Sequence, residues 1–350
     1  MSRNGFLLAC LLLCLQTACG DGGDGDDPVP PLRLLTANVG NPSTSDPRYA
    51  LRMSYQAYED HVASKIQALA PDIAFLQEVL PPQTCEAFQE TDPTRTCFEA
   101  STRPPAARRL LGPDYTIVCD ARLHVECIGV RTSFGSVDGV ERGAFVLDGA
   151  ATPALPLDPC TYFEGTCDND HCDAEATTSA VDVTTAKGPM RLVHVHPNAA
   201  GTNKGGLYLG EPCRYLQLQQ VFAGKAPLVG EGKPVLVAGD FNMDPEAFAS
   251  DREKQLWNEH VGEGKRFADI GPPRNEGGTA YATAKIFAID RVIGDGFSGG
   301  CSIHTKNAVE DDPAVVATVD DGFDFAQLPG GAGGEERMDH ASLSCDIEAD

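Results

Sequence analysis

The chain has 350 residues, 42% of them apolar, which is enough for a sizeable core and rules out a disordered protein. Acidic residues outnumber basic ones by 51 to 27, for a formal net charge of −24, and no stretch gathers Lys and Arg into a cluster. Such a surface repels a polyanion at long range, which weighs against nucleic acid as a partner without excluding it.

Met1 to Ala18 combine a basic start at Arg3, an apolar stretch from Phe6 to Leu15 and a small-residue exit at Thr17-Ala18. This reads as a secretion signal over residues 1–18, too short and too abruptly ended for a membrane span. Leu15-Gln16-Thr17-Ala18-Cys19 resembles the lipobox of bacterial lipoproteins, with Gln16 an unusual occupant. The resemblance implies lipidation at Cys19 and contact with a membrane through that anchor; the alternative is an ordinary cleaved signal with Cys19 incidental. Either way the mature protein is expected outside the cytoplasm. Residues 19–31, Gly- and Asp-rich and then Pro-rich, read as a solvated tether whose aspartates do not have the spacing of a calcium loop.

Of 13 cysteines, Cys10, Cys14 and Cys19 fall in this leader, and the even remainder favours disulfides in an oxidising compartment. Near neighbours suggest Cys85 with Cys97 and Cys119 with Cys127, and Cys301 with Cys345 could staple the last strands. Cys160, Cys167, His171 and Cys172 match no common zinc spacing, and the three cysteines read as disulfide partners.

Leu32 to Val39 reads as a strand, and Tyr55, Tyr58, Val62, Ile66 and Leu69 then recur at the spacing of one helix face. Pro71 stops that helix, and Ile73-Ala74-Phe75-Leu76 follows as a buried strand. Further strands are expected at Tyr115 to Cys119, Cys127 to Arg131, Gly143 to Leu147, Leu192 to His196, Val235 to Ala238, Ile286 to Ile293 and Ala341 to Cys345. Glu211 to Phe222 reads as a helix, Arg108-Arg109 as a solvated helix face, and Ser302 to Arg337 as a surface insertion. No boundary splits residues 32–350, which read as one domain.

The run Val235-Leu236-Val237-Ala238 ends on Gly239-Asp240-Phe241-Asn242. A strand that stops on a carboxylate and an amide two residues apart points both the same way. Alone this is a weak signal, since Gly-Asp is common in turns. Taken in order, Thr36-Ala37-Asn38, Gln77-Glu78-Val79, His196, Gly239-Asp240-Phe241-Asn242, Ile289-Asp290-Arg291-Val292 and Asp339-His340 resemble the signature of the endonuclease/exonuclease/phosphatase family. That family includes deoxyribonuclease I, abasic-site endonucleases, bacterial sphingomyelinases and inositol polyphosphate phosphatases. The resemblance spans Leu32 to Ile347 and implies an α+β fold, a four-layer α/β/β/α sandwich of two mixed β-sheets flanked by helices, with the site at one end of the sheets.

The resemblance also implies roles. A phosphodiester is anionic, so its hydrolysis needs a cation on the phosphoryl oxygens, an activated water and donors for developing charge. Hard oxygen ligands select Mg2+, or Mn2+ or Ca2+ in its place. Glu78 is the expected first ligand, with Asn38 beside it and Asp339 able to approach the metal. Asp240 would orient and deprotonate the water, and Asn242 would fix that carboxylate or the phosphate. His340 would donate to the phosphoryl oxygen, with Asp290 holding its ring protonated. His194 and His196 share a strand face; His196 is the expected phosphate contact, and His194 a second partner or a core histidine. Singly, Glu78 is a strand-end carboxylate and Asp339-His340 a turn.

Two positions depart from the family pattern: Met338 stands where Ser is usual, and Arg291 where an aromatic residue is common. Arg291 is expected to meet an anionic substrate or to form a surface ion pair. The loop Asn203-Lys204-Gly205-Gly206 and the insertion after Ser302 are where specificity would be set. The expected substrate is a phosphoester. A nuclease comes first, although no basic groove is evident. A sphingomyelinase-like lipid phosphodiesterase comes second, although Trp257 sits in a polar helix-like stretch and not in an exposed hairpin. A phosphatase on inositol or sugar phosphates comes third. From another class, a non-catalytic binding scaffold would have no need of these residues together. No protein partner is implied.

Overall fold

The apolar run Leu32–Asn38 forms β1 and Ile73–Gln77 forms β2, joined through helix α1 at Gln56–Leu69. That crossover lays β1 and β2 parallel, with Leu34 opposite Ile73 and Asn38 opposite Gln77, so the two strands finish side by side. The computed structural model describes residues 30–40, 56–79, 105–120, 126–141, 144–146, 177–197, 203–204, 207–208, 210–223, 227–281, 283, 287–304, 340 and 342–350. The expected Cys85–Cys97 pair, the group at 160–172, Cys19, Met338 and Asp339 lie outside them.

Helix α2 at Ala106–Leu111 leads into β3 (Tyr115–Asp120), β4 (Cys127–Arg131), β5 (Gly135–Glu141) and β6 (Ala144–Val146). β7 (Thr177–Thr185), β8 (Gly188–His196) and a ribbon of β9 (Asn203–Lys204) with β10 (Leu207–Tyr208) follow. Helix α3 (Gly210–Phe222), β11 (Val235–Asp240), helix α4 (Asp251–His260), β12 (Ala268–Gly271), β13 (Asp290–Asp295), β14 (Phe297–Ile303) and β15 (Leu343–Ala349) complete the order.

The strands form a seven-stranded sheet, β14-β15-β1-β2-β4-β3-β6, and a six-stranded sheet, β12-β13-β11-β8-β7-β5. Each is mixed, because β1 with β2 and β11 with β8 are parallel while their other neighbours are antiparallel. Alternation along the strands sorts side chains into three apolar layers. Leu34, Phe75, Ile128, Leu192, Leu236 and Val292 meet between the sheets. Leu35, Ala37 and Leu76 face outward against Val62 and Ile66 of α1 and Leu110 of α2. Val193, Val237 and Ile293 face the other way, against Leu218 of α3 and Trp257 of α4. The result is the four-layer sandwich. Truncating the fully buried Phe75 to Ala should cost about 3–5 kcal/mol.

The described residues from Pro31 to Asp350 gather into one compact unit. Cys119–Cys127 and Cys301–Cys345 are disulfides, each between directly opposed residues of neighbouring strands. No helix among the described residues is long and apolar enough to cross a membrane.

Several expectations need correcting. The strand expected from Ile286 begins only at Asp290, because the preceding N–H groups are drawn to side chains: Ala288 N donates to Asp244 Oδ2, and Ile289 N to Thr283 Oγ1. The last strand runs to Ala349, since Ile347 continues the buried alternation past Asp346. Ser302 belongs to β14, not to an insertion. Arg108 and Arg109 are not a solvated face: Arg108 donates to the Gly112 and Tyr115 carbonyls at 2.9 and 2.7 Å, and Arg109 holds the buried Glu59. Strands β5, β7, β9, β10, β12 and β14 were not expected from the sequence, and Asn203-Lys204, expected in a loop, is β9, paired with Leu207-Tyr208.

Candidate active site

The site is assembled by strand direction. Parallel β1 and β2 deliver Asn38 and Glu78 to one end of the first sheet, and parallel β8 and β11 deliver His196 and Asp240 to the same end of the second. β13 is antiparallel to β11 with Asp290 directly opposite Asp240. Gly239 makes the second delivery possible. Its φ is +142°, and a Cβ there would stand 2.1 Å from the Val195 carbonyl oxygen, so any side chain would push β11 off β8.

Glu78 and Asn242 both hold left-handed backbone conformations, with φ of +54° and +49°, of the kind that clusters at functional sites. Asn38 is fully buried, and its Nδ2 donates to Glu78 Oε1 at 3.1 Å while its Oδ1 accepts from Gly40 N at 3.4 Å. Asn38 therefore braces the carboxylate. At Asp240, Oδ1 accepts from the Asn242 N–H at 2.6 Å, and the Asn242 side chain donates to the Pro197 carbonyl at 2.9 Å.

Asp240 Oδ2 faces two imidazoles. His196 Nε2 and His340 Nδ1 each lie 3.6 Å from it. At that same Nδ1 of His340, Asp290 Oδ2 sits closer still, at 2.9 Å. Behind His196 stands a residue the sequence reading did not find: Glu126, 1% exposed, whose Oε1 accepts from His196 Nδ1 at 2.6 Å. Glu126 directly precedes β4, where Cys127 pairs with Leu76, so it arrives beside Gln77 and Glu78. Its only sequence signal is its place at the start of a strand next to a cysteine.

Burial alone would lower the pKa of His196, but the charge and hydrogen bond of Glu126, followed by Asp240 and Glu78, outweigh it and push the value up to about 10. His196 is thus an imidazolium through the neutral range. His194 is the opposite case. Fully buried and stacked on Phe75, it is lowered to about 3 by desolvation and by the charge of His196, and its Nε2 lies 2.7 Å from Gln77 Nε2. It is a neutral core histidine. Burial also raises the Asp240 carboxyl, opposed by His340 and reinforced by Asp290.

The donor set suits a hard divalent cation. Glu78, Glu126, Asp240 and Asp290 outnumber the two imidazoles, so the site stays negative even with both rings protonated. Ligand atoms of Asp240, Asp290 and His340 lie within 4.8 Å of one another, and Asp290 Oδ1 is buried without a partner. Such an arrangement of oxygens and imidazoles can polarise a phosphoester and activate water.

A model of the Endonuclease/Exonuclease/phosphatase family matches residues 35–305. The chain belongs to the endonuclease/exonuclease/phosphatase family. As a member of it, this protein is a phosphoester hydrolase, and the family generally uses a divalent metal.

Solved structures of this family's fold resemble the chain across most of its length. The human Nocturnin catalytic domain with bound sulfate anion shares 15% identity at a TM-score of 0.50, covering 92% of this chain and 95% of that one. The beta toxin 275-280 from Staphylococcus aureus shares 10% identity at a TM-score of 0.50, covering 90% and 99%. A humanized D. rerio TDP2 shares 13% identity at a TM-score of 0.49, covering 91% and 99%. At these identities the likeness to the first two is one of fold. No curated protein sequence matches the chain.

Within the endonuclease/exonuclease/phosphatase frame, Asn38, Glu78, His196, Asp240, Asn242, Asp290 and His340 come together at one end of the sheets. Arg291 does not join them. It is fully buried on the opposite face of β13, lying over Trp257, with its Nη atoms 3.3 Å from Asp244 Oδ1 and Asp269 Oδ2 and its Nε on the Ala288 carbonyl. It is neither a substrate contact nor a surface pair. Trp257 packs beneath it, 5% exposed and edge-on to Phe241.

Proposed function

We propose that the protein is an extracytoplasmic, divalent-metal-dependent phosphodiesterase of the nuclease type, driving water onto phosphorus from Asp240. One observation carries the reading: Asp240 Oδ2 lies 3.6 Å from a nitrogen of each of two imidazoles, and each imidazole is held by a second carboxylate, His196 by Glu126 through its other nitrogen and His340 by Asp290 through the same Nδ1. Buried carboxylates at this density are unfavourable for packing, and a binding scaffold would have no use for them.

Glu78, braced by Asn38, would hold the ion, with Asp339 the further ligand that the family resemblance implies, and with Mg2+ favoured by hard oxygen donors and Mn2+ or Ca2+ as substitutes. When bound, that ion neutralises phosphoryl oxygens and so eases attack by an anionic nucleophile. The chain's own residues do the rest. Asn242 occupies Asp240 Oδ1 and thereby aims Oδ2 at the water, whose proton Oδ2 accepts. His196, kept charged by Glu126, donates through Nε2 to a phosphoryl or leaving oxygen. His340, fixed through Nδ1 by Asp290, is the second donor. The water oxygen bonds to phosphorus as the P–O bond to the leaving group breaks, and the leaving oxygen takes a proton.

Nucleic acid is the first substrate of this reading and a phospholipid headgroup the second. The net charge of −24 bears on the choice, since added salt should speed turnover on a polyanion by screening repulsion and leave a neutral-headgroup lipid unaffected. The secretion-signal pattern of residues 1–18 and the lipobox-like Cys19 support a position outside the cytoplasm, held at a membrane if Cys19 is lipidated, and two cross-strand disulfides are in keeping with an oxidising compartment. The test uses protein lacking residues 1–31 on bis(p-nitrophenyl) phosphate, with Mg2+ and then with chelator. Release that needs the metal and vanishes in Asp240→Ala supports the reading. Release indifferent to both refutes it, and a panel of DNA, RNA, sphingomyelin and inositol phosphates then ranks substrates.

A further inference from the structure

Asn242 sits at φ +49°, a conformation asparagine tolerates better than most residues but one that must still be held. Part of the hold comes from outside the site. Arg214, on α3 and 2% exposed, donates through Nη1 to the Asn242 carbonyl at 2.7 Å. Its Nε and Nη2 donate to the two carboxylate oxygens of Glu253 at 2.5 and 2.9 Å. Glu253 is fully buried and also closes the capping box of α4: its Oε2 accepts from Ser250 N at 2.8 Å, and its own N–H donates to Ser250 Oγ at 3.3 Å. The Phe248 ring lies 5.5 Å from the guanidinium carbon. One side chain therefore ties together both ends and the middle of the segment from Asn242 to Glu253.

A buried ion pair between two packed helices has a simpler explanation, namely helix packing. The third contact sets this one apart. The planar fork lets one arginine satisfy a carboxylate bidentately and still present a donor in another direction, which a lysine ammonium does not reproduce. That extra donor goes to the backbone of a site residue. With its carbonyl held by Arg214 and its side chain by Pro197, Asn242 has little freedom about φ and ψ, and its N–H stays on Asp240 Oδ1.

We infer that Arg214 is a positioning residue for hydrolysis, aiming Asp240 through Asn242 while Glu253 orients the guanidinium. The inference rests on the reading of Asp240 as the base. It names a residue about which none of the site motifs speaks, since Arg214 lies on a helix and touches no reacting atom.

The experiment compares Arg214→Lys with the double variant Arg214→Met/Glu253→Gln. The double variant leaves no buried charge and keeps a side chain able to close the capping box. Both are expected to fold, with kcat on bis(p-nitrophenyl) phosphate reduced by about 10- to 100-fold and KM within about 2-fold, as misaiming of a base predicts. Amide exchange at Asn242 should quicken by about tenfold or more, as expected for a local loss of hydrogen-bond protection, while Leu236 and Val237 in β11 stay unchanged. Asp182→Asn, which removes a partner of Arg191 at the far end of β8, is the control: it lowers thermal stability and leaves kcat as it was. Wild-type kcat in the folded variants overturns the inference, and so does an unaltered Asn242 exchange rate. If the unmodified protein shows no metal-dependent hydrolysis, the functional reading fails separately, and the exchange measurement alone decides whether Arg214 holds Asn242.

Discussion

The two imidazoles that flank Asp240 are held in opposite senses. His196 comes from β8 of the six-stranded sheet and its carboxylate, Glu126, from the start of β4 in the seven-stranded sheet. His340 leads into β15 of the seven-stranded sheet, and its carboxylate, Asp290, begins β13 of the six-stranded one. Each pair bridges the sandwich, with the ring and the acid exchanging sides. The rings also differ in how they are used. His196 spans two acids with two nitrogens, Nδ1 to Glu126 and Nε2 toward Asp240, whereas His340 turns the same Nδ1 toward both Asp290 and Asp240. The lesson is that the separation between sheets sets the reach of the site, and Asp240 is the one group both halves share.

Removing that shared group should have the largest effect. Asp240→Ala is expected to lower kcat by about 10³-fold or more with the fold retained, measured on bis(p-nitrophenyl) phosphate. Equal activity in the variant would show that the halves do not converge on Asp240. Breaking one half at a time sharpens the contrast: Glu126→Gln and Asp290→Asn should each cost about 100-fold in kcat. Glu126→Gln should also shift the titration of His196, followed by NMR. The ring is now protonated below about 10 because its acidic neighbours, Glu126 foremost, outweigh burial. Without that carboxylate the proton should leave at a lower pH, toward the ordinary value of 6.5. An unmoved titration would mean that Glu126 only packs against it.

Metal removal probes the Glu78 corner. Mg2+ at about 100 times its Kd should stabilise the folded protein by about 2.7 kcal/mol, seen as a rise in melting temperature that chelator reverses. In Glu78→Gln that rise should disappear. The smallest effect belongs to a pair remote from the site. Burial works against the Asp182 carboxylate, but hydrogen bonds from Arg191 and Lys233 hold its pKa below 3.8. A depressed carboxylate contributes stability above its unfolded pKa and loses it as pH falls through the folded value. Asp182→Asn should therefore destabilise by about 1 kcal/mol near neutrality, a difference that shrinks below about pH 4. A gap that persists into acid would refute the assignment.

Much of the site was legible because its residues stand at the ends of apolar runs: Asn38 after Leu32–Ala37, Glu78 after Ile73–Gln77 and Asp240 after Val235–Gly239. Glu126 was not, since it precedes its strand and carries no periodic signal. Arg214 was hidden in a helix whose apolar face gives no reason for a buried cation. Strand β7 escaped because Thr177–Thr185 is rich in Thr and Ser, and its pairing with β8, more than its composition, makes it a strand. Arg291 misled through its neighbour: adjacency to Asp290 in sequence suggested adjacency in the site, but successive residues of β13 face opposite sides. The pairs Cys119–Cys127 and Cys301–Cys345 were readable from chain proximity and from strand order.

The spread of the site along the chain, from Asn38 in β1 to His340 before β15, has a consequence for biosynthesis. The ribosome has to pass His340 before the two imidazoles can meet at Asp240, so a nascent chain that already holds Asn38, Glu78 and His196 still lacks part of the cluster.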